Sequence, residues 1–230
     1  PHGEDGESVA VITVDLRGHG SSTKQLLRNG TARELDAAKL KKSDFEAMVQ
    51  YDMKAVRAFL VDKNDQGEIN LNELSIIGVG LGASVATIWA AHDWAYPPLA
   101  VGKQGQDVKA LVLVSPRWKN NGLLIQKAVQ QRDVQREIAL IMIYGRDNSK
   151  VRADIRRIKK QVEKYHPEPE TVDDKPRDLV GLGVPTSLQG DKLLQEVGFR
   201  DKIVERISDF LNLHVAQEDH EWLKRRNRIP

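Results

Sequence analysis

The chain has no cysteine. That excludes a disulfide framework, a thiol nucleophile and a Cys-ligated zinc, and it is equally compatible with a reducing and an oxidising compartment. Aromatic residues make up only 5%, and acidic and basic residues nearly cancel, 33 against 35, leaving a net charge of +2. Such a balance predicts no nucleic-acid partner, and the cluster Lys224-Arg225-Arg226-Asn227-Arg228 reads as a solvated tail. Long apolar runs are missing as well. The longest, around residues 110–114 and 138–143, fall far short of the roughly 20 residues that a membrane helix needs, so no membrane span is predicted. Pro1-His2-Gly3-Glu4-Asp5 does not read as a signal sequence, and a soluble chain is expected. With 230 residues, 40% of them hydrophobic, the chain can bury a substantial core, which predicts a single domain over residues 1–215 and a basic tail over 216–230.

What is present is organised around residues 74–91, where an apolar, β-branched run passes through Gly78, Gly80 and Gly82 into an Ala-rich helical pattern. The spacing predicts a strand over about 74–79, a sharp turn at Gly80 and a helix from about 82 to 93. Two kinds of site use such a turn. One is the G-x-S-x-G elbow that lifts a nucleophile over the edge of a sheet. The other is the dinucleotide fingerprint G-x-G-x-x-[GA], met here by Gly78, Gly80 and Ala83, where bare backbone lets a pyrophosphate approach a helix N-terminus. In an NAD(P) site, Ser115-Pro116-Arg117 after the next strand would face the ribose and could suit a 2′-phosphate.

Elsewhere the periodicities predict alternating strands and helices. Residues 8–14 read as a strand that ends in Asp15-Leu16-Arg17-Gly18-His19-Gly20-Ser21-Ser22, with Arg17 and Asp15 expected to pair. Ser43-Asp44-Phe45-Glu46 has the pattern of a capping box. It opens a helix whose Phe45, Met48, Val49, Val56, Phe59 and Leu60 are expected to face the sheet. Residues 62–73 imitate an EF-hand loop through Asp62, Asn64, Gly67, Ile69 and Glu73, but Gln66 stands at the fifth position and a strand follows, so no metal is assigned. Strands are predicted over 109–115, 137–144 and 178–184, and helices over 122–132, 151–165 and 199–213, with 166–177 as a surface loop. The fold class is therefore α/β, a mostly parallel, doubly wound sheet flanked by helices.

The D-x-R-G-H-G-x-S block at residues 15–22, followed by the elbow-like turn, resembles the α/β-hydrolase superfamily, and so do the segments Pro97–Pro116 and Thr186–Gly190. In this resemblance His19 matches a structural histidine. The family orders its nucleophile, acid and base after successive strands, and the matching positions are Gly80, Asn148 and Gln189. Glycine has no side chain to attack with, Asn cannot stabilise an imidazolium as a carboxylate does, and Gln is no general base. Asp147 lies one residue early for the acid. His214 and His220 lie on or beyond the last helix, and neither Ser84 nor Ser115 has a visible His partner.

The resemblance thus implies a triad-deficient hydrolase-like protein whose cleft binds a small-molecule ligand, or whose surface binds a protein partner, without a cofactor. Gly78, Gly80, Leu81, Ser115, Asp147, Asn148 and Gln189 are the cleft candidates. An esterase-like hydrolase with unusual residues and an NAD(P)-binding protein are the alternatives. The family also has a strand and an HG loop ahead of the position of Val9, so an N-terminally incomplete domain is expected, or one that closes the gap by direct strand pairing.

Overall fold

The computed structural model describes residues 9–27, 29–100, 102–171, 176–226 and 228. The chain divides into two compact units, Pro1–Ile69 and Asn70–Pro230.

In the first unit, β1 (Lys24–Leu26) and β2 (Ala32–Glu34) form a short antiparallel hairpin. Helix α1 (Lys42–Ala47) runs through a π-helical turn, Met48–Asp52, into α2 (Met53–Asp65). Three expectations need correction here. Residues 9–14 form no strand, and Ser8 lies outside the described residues. Val9, Val11, Ile12 and Val14 are instead exposed, because a β-branched run becomes a strand only where a ladder partner lies beside it. Arg17 does not pair with Asp15; its guanidinium grips Asp52 at 2.6 Å, while Asp15 accepts from the Ser21 amide and hydroxyl. The capping pair is Lys41 with Asp44, since the shorter Asp44 carboxylate reaches back to the Lys41 amide at 2.9 Å and is also held by Arg33. Phe45, Met48, Val49 and Leu60 are buried, whereas Phe59 is half exposed with the Lys63 ammonium over its ring. Asp62 and Asn64 lie within α2, so the EF-hand-like residues form no cation loop.

The second unit is built on β3 (Leu74–Val79), followed by α3 (Leu81–Trp94) and β4 (Val108–Val114). A hairpin of β5 (Lys119–Asn120) and β6 (Leu123–Leu124) leads to α4 (Gln126–Val129) and α5 (Arg132–Glu137). Then come β7 (Ala139–Gly145), α6 (Ser149–Val162), β8 (Leu179–Val184), α7 (Asp191–Gln195) and α8 (Val197–Leu211), which ends in a π-helical turn, Asn212–Ala216. Strands β3, β4, β7 and β8 form one parallel sheet in that order. All four carboxyl ends therefore lie along one edge. The order contains no reversal among the described strands, which is the feature that would make the sheet doubly wound.

The sheet is covered because its central strands are apolar on both faces. Ala110, Val112 and Val114 of β4, with Ala139, Ile141 and Ile143 of β7, share a core with Leu193, Ile203 and Phe210 of α7 and α8. The opposite residues Leu111, Leu113, Leu140 and Met142 are buried as well, on the side where α3, α4, α5 and α6 pack among themselves. The single helix expected over 122–132 is broken. Asn121 and Gly122 both take positive φ, 47° and 87°, which is the turn chemistry of a tight hairpin, and helix begins only at Gln126.

The tail differs most from expectation. It belongs to the second unit, and Arg225 is buried there with its Nε 2.8 Å from Asp107, both side chains fully inaccessible. Arg225 also donates to Asn72 Oδ1 at 3.0 Å, and Arg228 pairs with Asp93 and stacks over Tyr96 at 4.4 Å. A carboxylate pair at the amino edge of the sheet needs compensating charge, and these two guanidiniums supply it.

Candidate site at the carboxyl edge of the sheet

Gly80 sits at the apex between β3 and α3 with φ 55° and ψ −105°, a conformation that strains any residue with a Cβ. Its amide donates to the Val114 carbonyl at 2.9 Å, which ties the apex to the end of β4. Gly78 is required for another reason. A Cβ there would lie 2.6 Å from the Gly82 carbonyl oxygen and 2.7 Å from the Ala83 backbone. Helix α3 can therefore start hard against β3 only if residue 78 has no side chain. Around Gly80, by contrast, nothing lies within 4 Å of where a Cβ would be.

One residue beyond Val114, Ser115 is buried with a positive φ of 52° and carries on the ladder by donating its amide to the Ile143 carbonyl at 2.7 Å. The turn aims its hydroxyl at the loop after β8. Ser115 Oγ donates to Gln189 Oε1 at 2.8 Å and accepts from the Gly190 amide at 2.8 Å. Gln189 Nε2 donates to the Gly145 carbonyl at 2.9 Å, and the Gly145 amide returns a longer bond of 3.4 Å to Oε1. The loop can come this close because residue 145 is glycine: a Cβ there would stand 2.3 Å from the Leu188 carbonyl oxygen and 2.6 Å from Gln189 Nε2.

A continuous path of hydrogen bonds thus runs from Gly80 through Val114 and Ser115 to Gln189 and Gly145. It joins the ends of β3, β4 and β7 to the loop after β8. Asn148, after the same β7, accepts from the Val151 amide at 3.2 Å and caps α6. Asp147 is exposed, and its amide donates to the Thr186 carbonyl. Leu81 and Gly82 open α3 and are partly exposed. The first helical amides there lack intrahelical acceptors and face the positive end of the helix dipole. Ser84, one turn in, is buried with no hydrogen-bond partner for its hydroxyl among the described residues.

The histidines lie elsewhere. His166, expected on a surface loop, is buried with Nδ1 2.7 Å from Asp178 Oδ1. The Asp178 carbonyl accepts from the Leu140 amide, at the amino end of β7 and β8. Burial pushes the Asp178 carboxyl up, but the His166 hydrogen bond and the charges of His166 and His214 outweigh it, and the net shift is downward. His214, its ring 4.8 Å from that of Phe210 and tilted against it by 53°, belongs to this same amino-edge group, away from Gly80. His19 is exposed and its Nδ1 lies 3.1 Å from the Arg17 carbonyl.

Among the described residues, no group of three or more His, Asp or Glu is arranged to hold a metal ion, and no helix is long and apolar enough to cross a membrane. Arg117, the candidate for a 2′-phosphate, is engaged by Asp154 at 2.7 Å. The first unit contains a cavity of about 220 Å³ lined by Arg17, Ser22, Lys24, Gln25, Leu35 and Asp52, in which the Arg17–Asp52 pair neutralises itself. Sequence reasoning named Ser115 and Gln189 separately and missed that they bond each other. The Gly190 after Gln189 signalled a turn there, but no local pattern marked the bond to Ser115. No family model matches the chain, and no curated protein matches it.

Proposed function

We propose that this chain is a catalytically degenerate protein of the α/β-hydrolase type that binds a small ligand at the carboxyl edge of its sheet. The observation that supports this reading best is the apex itself: a strained strand-to-helix turn of the kind that presents a nucleophile, occupied by Gly80, with open space over the missing side chain. Gln189, at the position of the general base, has its amide spent on Ser115 and Gly145. A neutral amide held in this way takes up no proton near neutral pH. What the edge retains is binding capacity: free helix-terminal amides at Leu81 and Gly82 suit a carboxylate or another small anionic head group.

The test has two arms on the purified chain. Hydrolysis of an activated ester and labelling by a serine-reactive phosphonate should both stay at the level of a Gly80→Ala control. A short alkyl carboxylate should raise the thermal midpoint, and Gly80→Asn, which fills the open space, should abolish that rise. Labelling that disappears with Ser115→Ala would replace the reading with an active hydrolase. Stabilisation unchanged by Gly80→Asn would move the ligand away from this edge.

A further inference from the structure

We propose that the outer face of α6 is a docking surface for an acidic α-helix of a partner protein. The inference stands apart from the carboxyl-edge site and does not depend on it. Residues 149–165 contain seven basic and two acidic residues, a local charge of +5 in a chain whose total is +2, so the remainder is net negative by 3. The helix turns Val151, Ile155, Ile158 and Val162 into the core. Arg152, Arg156, Lys160 and Lys164 recur every four residues and are all exposed, so they form one ridge with a step of about 6 Å.

Like charges four apart oppose helix formation by a few tenths of a kcal/mol per pair, and the acids nearby do not relieve them. Asp154 is taken by Arg117 and Arg157, and Glu163 by Lys159. Among the described residues Arg156 and Lys160 make no ion pair, while Arg152 donates only to the Arg146 carbonyl. The ridge is therefore a run of charge that the fold itself leaves uncompensated.

Two features select the occupant. The step matches that of carboxylates every four residues on a facing helix, so complementary charges can meet where the two rows cross. The ridge carries no apolar side chain to enter a lipid interface, and the aromatic ring beside it, Tyr165, is already covered by Lys164 and Arg136.

The experiment uses the full chain and two labelled helical peptides of identical composition, read by fluorescence anisotropy. One has Glu at four-residue intervals on a single face, and the other has the same Glu residues spread around the helix. The in-register peptide should bind at least tenfold tighter than the other and weaken when salt rises from about 50 to about 300 mM, as expected for screened contacts. The triple variant Arg152→Gln, Arg156→Gln, Lys160→Gln alters exposed positions only and should retain its circular dichroism while losing at least tenfold in affinity. Absence of binding, equal affinity for the two peptides, or unchanged binding by the variant each overturns the proposal. Tighter binding to a 20-base-pair duplex or to phosphatidylserine vesicles than to the in-register peptide also overturns it and assigns the ridge to that surface instead.

Discussion

Arg225→Met should destabilise the second unit by about 3–5 kcal/mol, the range for removing one partner of a buried ion pair. The size follows from what is left behind. Arg225 Nε lies 2.8 Å from Asp107 Oδ1 with both side chains inaccessible, and its Nη2 donates to Asn72 Oδ1. Methionine keeps the length of the stem, so the loss is electrostatic and not a cavity. Asp107 would lose its guanidinium, and the Lys103 Nζ, 4.0 Å away, already donates to Asn72 Oδ1 at 2.6 Å. Asp93 is a second carboxylate within reach, and its pKa is raised by burial and by the Asp107 charge, so weakening the compensation at Asp107 is felt at both carboxylates.

All four tryptophans lie in Asn70–Pro230, so their fluorescence in urea reports on this unit alone. The midpoint should fall at an unchanged slope. A second reading comes from Lys103. Burial, the Lys109 charge and the Arg225 charge hold its pKa down to about 8, so removing Arg225 should raise it. A loss below about 1 kcal/mol, within the range of an exposed pair, would refute the reasoning and return the tail to solvent.

Three further outcomes follow from the same geometry. Because the Lys103 pKa falls from 10.5 unfolded to about 8 folded, the unfolded chain binds more protons between those values, and stability should rise with pH across that window by about 1–2 kcal/mol after discounting for solvent screening; a flat urea midpoint from pH 8 to 10 would contradict it. Gly78→Ala should cost about 1–3 kcal/mol through overpacking, since its Cβ meets backbone atoms of Gly82 and Ala83 that cannot swing aside, and a smaller shift in the thermal midpoint than that of Gly82→Ala, whose Cβ meets nothing, would show that α3 yields. Gly80→Ser should not turn over an activated ester faster than Gly80→Ala, because Gln189, held by Ser115 and Gly145, cannot take the proton of the new hydroxyl; robust turnover would reveal a base.

The strand, apex and helix at residues 74–94 were legible because the signals are local. Three glycines at alternate positions separate a β-branched run from an Ala-rich one, and a single turn satisfies both. Strands β4 and β7 were legible from continuous apolar runs. What was missed depends on partners distant in sequence. Arg17 chooses Asp52, 35 residues away, over Asp15 next door, and Arg225 finds Asp107 at a separation of 118. A basic cluster near a chain end carries no mark of whether carboxylates wait for it in the fold. The broken helix after Gly122 is a different kind of miss, since Asn121-Gly122 is a turn signal in its own right and was overridden by the apolar pattern that follows it.

The carboxyl edge shows how a position can be legible while its role is not. If the proposed hydrolase-type reading holds, residue 189 stands where a base would, and the chain has Gln there. The geometry gives that residue a task of its own. Its oxygen accepts from the Ser115 hydroxyl while its nitrogen donates to the Gly145 carbonyl, so one side chain must accept and donate at the same end. An amide presents both functions side by side, whereas a neutral imidazole holds its donor and acceptor on separate ring nitrogens that point apart. Histidine at 189 could therefore keep one of these bonds but not both, and the buried Ser115, strained at positive φ, would lose a partner. A histidine base and this knot thus make incompatible demands on one position, so introducing a base at 189 would require rebuilding the loop over Gly145 as well as changing the residue.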